Sequence, residues 1–265
     1  MKIEEKNYIN LLEKIGSDVH PSLEQQIVDG WICNFAEGYS RRANSVLAFD
    51  WGKNNEESIK TCESLYAKAG LPCIFKMTDA SAPGLKELLE KGGYNSEAPT
   101  DVMTVDCNSP VLLEKFETVE EPEEIGVIIT GTPDEAWLNP FFEFENRTAP
   151  KTMEIVKRQF KLISQNEKLT ALYCRIQISG NDVGVASAVI EDGVLFLLNV
   201  VVNPVCRGKG YGKILVKEIL ENACDMGAEK LCLQVVQENS VAINLYKSFG
   251  FEYLYTYWYM VKANC

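Results

Sequence analysis

The period of the hydrophobic pattern changes several times along the chain, and each change marks an element. Gly193–Val202, GVLFLLNVVV, is an apolar run ending in β-branched residues, which predicts a strand buried on both faces. Pro204 has no N–H to give to a ladder and ends it. The pattern then turns helical: Ile214, Leu215, Ile219, Leu220 and Ala223 recur on one face, and Gly227 stops the helix. Leu231–Val236 alternates as a strand. Asn239 or Ser240 caps a helix over VAINLYKSFG, Gly250 closes it, and FEYLYTYWYMVK is a final strand or strand pair. Upstream, IGVIITG reads as a strand, and PDEAWLNPFFEF and TMEIVKRQFKLISQN as helices. TALYCRIQISGNDVGVASAVIEDG reads as two strands joined at SGND.

The first half carries a weak echo of this order. Superposing Gly93-Tyr94 on Gly250-Phe251, an offset of 157, lays GLKELLEKGGYNSEAPTDVMTVD over the last helix and strand. LPCIFKMTD then falls on the Leu231–Val236 strand, and ESIKTCESLYAKAG on the helix after Pro204. DGWICNFAEGYSRRANSVLAFD would supply the first hairpin strands. Cys107–Glu124, with prolines and a run of acids, reads as the connection. The expected division is therefore 1–110 and 111–265.

Composition narrows the classes. The chain has 265 residues, 46% hydrophobic, with a formal net charge of −12. That fills a core and disfavours binding to nucleic acid, which needs a basic surface. Nine cysteines with no CxxC pair argue against a metal knuckle or a disulfide framework, and reduced thiols in a cytoplasmic protein are expected. The charged, amphipathic start has no signal-peptide core, and no run is long enough to span a membrane. The lone His20 has no Ser or Cys partner in a recognisable spacing, so a surface or capping role is its default.

The chemistry concentrates between the Val202 strand and the following helix, at Arg207-Gly208-Lys209-Gly210-Tyr211-Gly212. Glycines permit positive φ and bring bare amides close to a ligand, and a helix N-terminus adds unpaired N–H groups and partial positive charge. This is an anion site, suited to a phosphate or pyrophosphate. A Walker A loop is absent, because Lys213 is followed by Ile214. The spacing is GxGxG, not the GxGxxG of dinucleotide folds.

The stretch resembles the acyl-CoA loop of the GNAT acetyltransferase superfamily, [QR]-x-x-G-x-[GA], and Val200–Pro204 looks like that family's strand end. Asn239, Ala242, Leu245, Tyr246, Gly250 and Phe251 match its N-x-x-A-x-x-[LF]-Y-x-x-x-G-[FY] helix. The resemblance implies an α/β fold with a mixed sheet, a tandem GNAT with two lobes forming a pseudo-dimer, the first degenerate and the second catalytic. A monomer is compatible with that arrangement. The cosubstrate it implies is acetyl-CoA, with no metal. Backbone groups of Val200 and Val202 would pair with the pantetheine arm, and amides of Arg207, Gly208, Lys209, Gly210, Tyr211 and Gly212 would hold the pyrophosphate. Asn239 would touch the cofactor, and Tyr246 would protonate the departing thiolate. Tyr246 could instead simply pack on its helix. The first lobe's loop equivalent, Asp50–Asn55, has one glycine and a leading acid, so no working phosphate loop is expected there.

The implied activity is acetyl transfer to a primary amine on a small molecule or peptide. The alternative is an acyl-CoA sensor or scaffold without chemistry. The strand Val194–Val202 offers no acid as general base. Glu143, Glu145, Glu191 and Asp192 are candidates, beside a water chain or a backbone carbonyl. Trp137, Phe141, Phe142 and Phe144 line the acceptor site or fill the core, and the RRANS stretch is a wall of that site or a packed hairpin.

Overall fold

The computed structural model describes residues 1–49, 55–122 and 124–262. They divide into two units: Met1–Asp101 with Tyr255–Cys265, and Val102–Leu254. The boundary thus lies near residue 101, and the end of the chain groups with its beginning. Two long strands carry the chain from one unit to the other.

In the first unit, α1 (Ile3–Val19) precedes a hairpin of β1 (Glu24–Val28) and β2 (Trp31–Phe35). Asp29 and Gly30 turn it with φ of 48° and 88°, the left-handed pair that a two-residue hairpin requires. β3 (Val46–Leu47), α2 (Asn55–Lys68), β4 (Ile74–Met77), α3 (Leu85–Lys91) and β5 (Tyr94–Asp106) follow. β2 runs antiparallel to β3, and β3 parallel to β4. Trp31, Tyr66, Phe75 and Leu89 are fully buried in its core.

The second unit contains α4 (Pro110–Thr118), β6 (Ile125–Thr130), α5 (Glu135–Phe144), α6 (Pro150–Gln165), β7 (Thr170–Ile178), β8 (Asn181–Glu191) and β9 (Val194–Val202). α7 (Tyr211–Asp225), β10 (Lys230–Val236), α8 (Ser240–Lys247) and β11 (Glu252–Lys262) complete the order. The strands lie in the order β10-β9-β8-β7-β6. β6 to β9 are antiparallel neighbours, and β9 and β10 are parallel. α7 packs closely on β8: a Cβ at Gly184 would stand 2.8 Å from Leu215 Cδ1 and 3.1 Å from Val201 O. Only a glycine lets the helix approach so near.

The echo between the halves is visible as structure. β3-α2-β4-α3-β5 and β9-α7-β10-α8-β11 share order and parallel pairing. Gly93 and Gly250 each leave their helix at positive φ, 85° and 83°. β11 is one strand. Its Tyr255–Lys262 part lies in the first unit, where Val261, Met260, Tyr259 and Trp258 pair antiparallel with Ile74–Met77 of β4. There it closes a buried polar cluster. Glu13 binds Lys76 at 2.7 Å and accepts from Tyr255 Oη at 2.8 Å. Lys76 Nζ stands 3.9 Å from the Tyr257 ring centroid, and Arg42 Nε donates to Tyr257 Oη at 3.0 Å.

Cys107 and Cys224 form a disulfide, against the expectation of reduced thiols throughout. They are 117 positions apart, and only the packing of α4 on α7 brings their Cα atoms to 5.7 Å, within the range a disulfide spans. The stretch read as a connection is thus partly the helix α4, with Leu112 fully buried. His20 is the C-cap of α1. Its Nδ1–H donates to Gly16 O at 3.2 Å, and burial, with Arg42 nearby, lowers its pKa to about 3, so the ring stays neutral. Among the described residues, no helix is long and apolar enough to cross a membrane.

Candidate active site

The site begins with an irregularity in β9. Val201 pairs with Val185 and Leu198 with Ser187, so Asn199 and Val200 face the single residue Ala186. This is a β-bulge, with the extra residue on β9. Asn199 takes φ 50°, a left-handed conformation that asparagine tolerates better than most side chains. Its Nδ2 donates to Ser187 Oγ at 2.9 Å. Trp137 fixes the other side: its indole N–H lies 2.9 Å from Cys174 O and 3.2 Å from Ala186 O, the carbonyl opposite the bulge. Trp137 stacks on Phe141 and meets Phe160 and Tyr173 edge-on. Phe142 and Phe144 are buried as well, so this aromatic group is core.

The ladder between β9 and β10 runs from Val194–Lys230 to Leu197–Leu233. Beyond it the ladder stops, so the β9 edge from Leu198 to Val202 has no partner in β10. Asn203 ends the strand by accepting from Val205 N, and a 3₁₀ turn over Pro204–Cys206 leads into the glycine loop. Arg207 Nε donates back to Val202 O at 3.4 Å. Gly208 and Gly210 have φ of 78° and 88°. A Cβ on either would meet nothing within 4 Å, so their outer faces are open. Gly210 is the N-cap of α7 and brings no side chain to satisfy its first turn. Among the described residues, the N–H groups of Gly208, Lys209, Gly210, Tyr211 and Gly212 have no acceptor within reach. A row of unpaired donors at a helix N-terminus is an anion cradle.

α8 closes the arrangement. Asn239 caps it, its Oδ1 accepting from Ala242 N at 3.1 Å. A Cβ at Gly212 would lie 3.6 Å from Leu245 Cδ2 and 3.8 Å from Val202 Cγ2, so strand end, loop and α8 meet at one place. Tyr246 follows Leu245, and its ring rests edge-on against Phe251 at 6.0 Å. Burial pushes its phenol up to about 12.

Two of the four acids considered as bases lie at the far end of β9 from the glycine loop, and the other two lie on or just after α5. Glu191 pairs with Val194, eight residues before Val202, or about 26 Å along a strand, and Asp192 lies beyond it in the turn. Glu145 is held by Arg147 at 2.9 Å, and Glu143 is exposed on α5. The RRANS stretch in the first unit is built inward at Asn44. That side chain accepts from Ala36 N and Gly38 N at 2.7 and 2.9 Å and donates to Ser40 O at 2.7 Å. Asp50–Asn54 of the first half's loop equivalent lie outside the described residues, as does the side chain of Asn55. Among the described residues no group of three His, Cys, Asp or Glu is placed to hold a metal.

Known proteins resemble this chain. A relative from Bacillus subtilis (strain 168), an uncharacterized N-acetyltransferase YobR, is 26% identical over 96% of this chain and 98% of its own. Among solved structures, a GCN5-related N-acetyltransferase from Kribbella flavida superposes with a TM-score of 0.67 at 16% identity, over 96% of each chain. A tandem GNAT protein from the clavulanic acid biosynthesis pathway gives 0.66 at 15% identity, over 79% of this chain and 70% of that one. Both show the GNAT fold. Residues 7–260 match the family described as "Probable histone acetyltransferase Rv0428c C-terminal". The match takes in the bulged strand, the glycine loop and the Tyr246 helix together, and the chain belongs to that family of GNAT acetyltransferases.

Proposed function

We propose that this protein transfers an acetyl group from acetyl-CoA to a primary amine by direct attack. The observation that carries the reading is the meeting of the unpartnered β9 end, the unpaired N–H row of Gly208–Gly212 and the Tyr246 helix around Gly212. The loop amides would hold the pyrophosphate. Backbone groups at Val200 and Val202 would align the pantetheine arm, and an amide beside the bulge would polarise the thioester carbonyl. Asn239, whose Oδ1 already caps α8, would border the cofactor. Alignment of amine and thioester supplies much of the rate.

Tyr246 would serve the leaving group. A phenol near 12 stays protonated at neutral pH. Facing a thiol of pKa about 8.5, it would stabilise the developing thiolate through a hydrogen bond more than by complete proton transfer. The acceptor ammonium, near 10.4 in water, must shed its proton. With Glu191 and Asp192 at the far end of β9, water, a backbone carbonyl or an acid of the α5 end would receive it. Membership of an acetyltransferase family favours this reading over a module that only binds acyl-CoA.

The test is thiol release from acetyl-CoA with a panel of small amines and amine-bearing peptides, for wild type and Tyr246→Phe. Amine-dependent release is expected in wild type. The variant should lose roughly 10²–10³-fold in kcat, the usual worth of one hydrogen-bond donor to a developing anion, with CoA affinity nearly intact. Acetyl-CoA binding without release for any amine would favour the binding module.

A further inference from the structure

In the first unit, the sheet face that Glu13 of α1 reaches gathers polar groups that acyl transfer does not use. Tyr255, Tyr257 and Tyr259 alternate along β11 and so share this face. Glu13 is fully engaged there: one oxygen binds Lys76 Nζ at 2.7 Å and the other accepts from Tyr255 Oη at 2.8 Å. Arg42 is not. Its Nε donates to the neutral Tyr257 hydroxyl at 3.0 Å, and among the described residues its two Nη groups meet no acceptor. Arg42 and Lys76 against Glu13 leave one positive charge over. His20 does not change that sum, since burial and the Arg42 and Lys76 charges keep it neutral. Arg41, 5.9 Å from the Tyr259 ring centroid, has its own carboxylate in Glu97. Tyr259 stands 5.6 Å from Tyr257, ring to ring, and its Oη is buried without a partner. An unmatched guanidinium and an orphaned phenol are each costly away from water, and both lack the same thing, an acceptor. Arg42 is only half-buried, so a small anion can reach it from solvent.

We propose that Arg42, with the Tyr259 hydroxyl beside it, is a binding site for a carboxylate, from a small organic acid or a peptide terminus. The planar guanidinium fork offers a carboxylate parallel N–H···O bonds. The phenol adds a further donor. A single negative charge cancels the excess, whereas a phosphate dianion would overshoot it and be repelled by Glu13. The site belongs to the first unit, and its existence does not depend on what the glycine loop holds.

Thermal unfolding of the full chain tests it, in sodium acetate, sodium phosphate or tri-alanine, each against sodium chloride of equal ionic strength. In wild type the midpoint should climb with acetate, by about 3–5 °C per tenfold above the dissociation constant. Arg42→Met should not respond, and in chloride it should unfold at or above the wild-type midpoint, because it removes a charge that has no carboxylate to orphan. Tyr259→Phe loses no existing hydrogen bond and should fold as wild type with a weaker acetate response. A response to tri-alanine that its C-terminal amide lacks, with none to acetate, would assign the carboxylate to a peptide terminus. No climb with either carboxylate, or a climb with phosphate alone, would overturn the proposal. So would an equal climb in Arg42→Met, which would be a general salt effect, or a marked loss of stability of that variant in chloride, which would mean the guanidinium is already satisfied within the protein.

Discussion

Replacing Gly210 with glutamate separates what the loop does for folding from what it does for an anion. Gly210 sits at φ 88° as the N-cap of α7. A side chain there meets nothing within 4 Å, so the folding cost is backbone strain alone, about 1–2 kcal/mol for an L residue. A carboxylate at a helix N-terminus recovers about 0.3–1 kcal/mol from the helix dipole. Gly210→Ala carries the same strain without the charge, which makes it the control. For binding, a carboxylate about 6 Å from one pyrophosphate charge costs about 3 kcal/mol at an effective dielectric near 20, roughly a hundredfold in affinity. Titration with acetyl-CoA, alongside urea unfolding of both variants, reads the two effects apart. The expectation is similar stability for the two, near-normal affinity for Gly210→Ala and a deficit of about two orders of magnitude for Gly210→Glu. That deficit should shrink as salt screens the repulsion. If Gly210→Glu binds within about threefold of Gly210→Ala, the loop does not hold the pyrophosphate.

Two further outcomes follow from groups outside the site. His20 has an unfolded pKa near 6.5 and a folded one of about 3. Between these values the unfolded chain binds the extra proton, so stability rises with pH and is lost as pH falls. Urea unfolding at pH 7 and pH 4.5 should differ by about 2–3 kcal/mol more in wild type than in His20→Gln; equal pH dependence would refute the assignment. Reduction of Cys107–Cys224 should lower stability by about 2–4 kcal/mol, given the long loop it closes. Cys107→Ser should show the lower value already and no response to reductant. A wild-type unfolding midpoint unchanged by reductant would contradict it.

Much of the fold was legible because local chemistry and tertiary structure agree. Pro204, Gly227 and Gly250 stand where elements stop, Asn239 is the cap its position suggested, and the loop is a strand-to-helix junction. The parallel order of the two halves could be read from helix–glycine–aromatic pairs although few residues are identical. What could not be read depends on partners distant in sequence. The bulge lies inside a continuous apolar run, where the one polar residue, Asn199, was the available signal. Trp137 counts as apolar in any pattern, yet its indole N–H reaches the carbonyl opposite the bulge. The disulfide is set by the packing of α4 on α7. In β11 no turn residue interrupts FEYLYTYWYMVK where the chain passes from one unit to the other.

That passage has a consequence in time. A nascent chain emerges at roughly 5–20 residues per second, and leading domains usually fold before later ones appear. Here the first unit needs Tyr255–Lys262 as the antiparallel neighbour of β4 and for two of the tyrosine hydroxyls around Glu13 and Arg42. Its core must wait while Val102–Leu254 is made, on the order of 10–30 s at that speed. During the wait the β4 edge stands bare, a template for pairing with another chain until the last strand arrives.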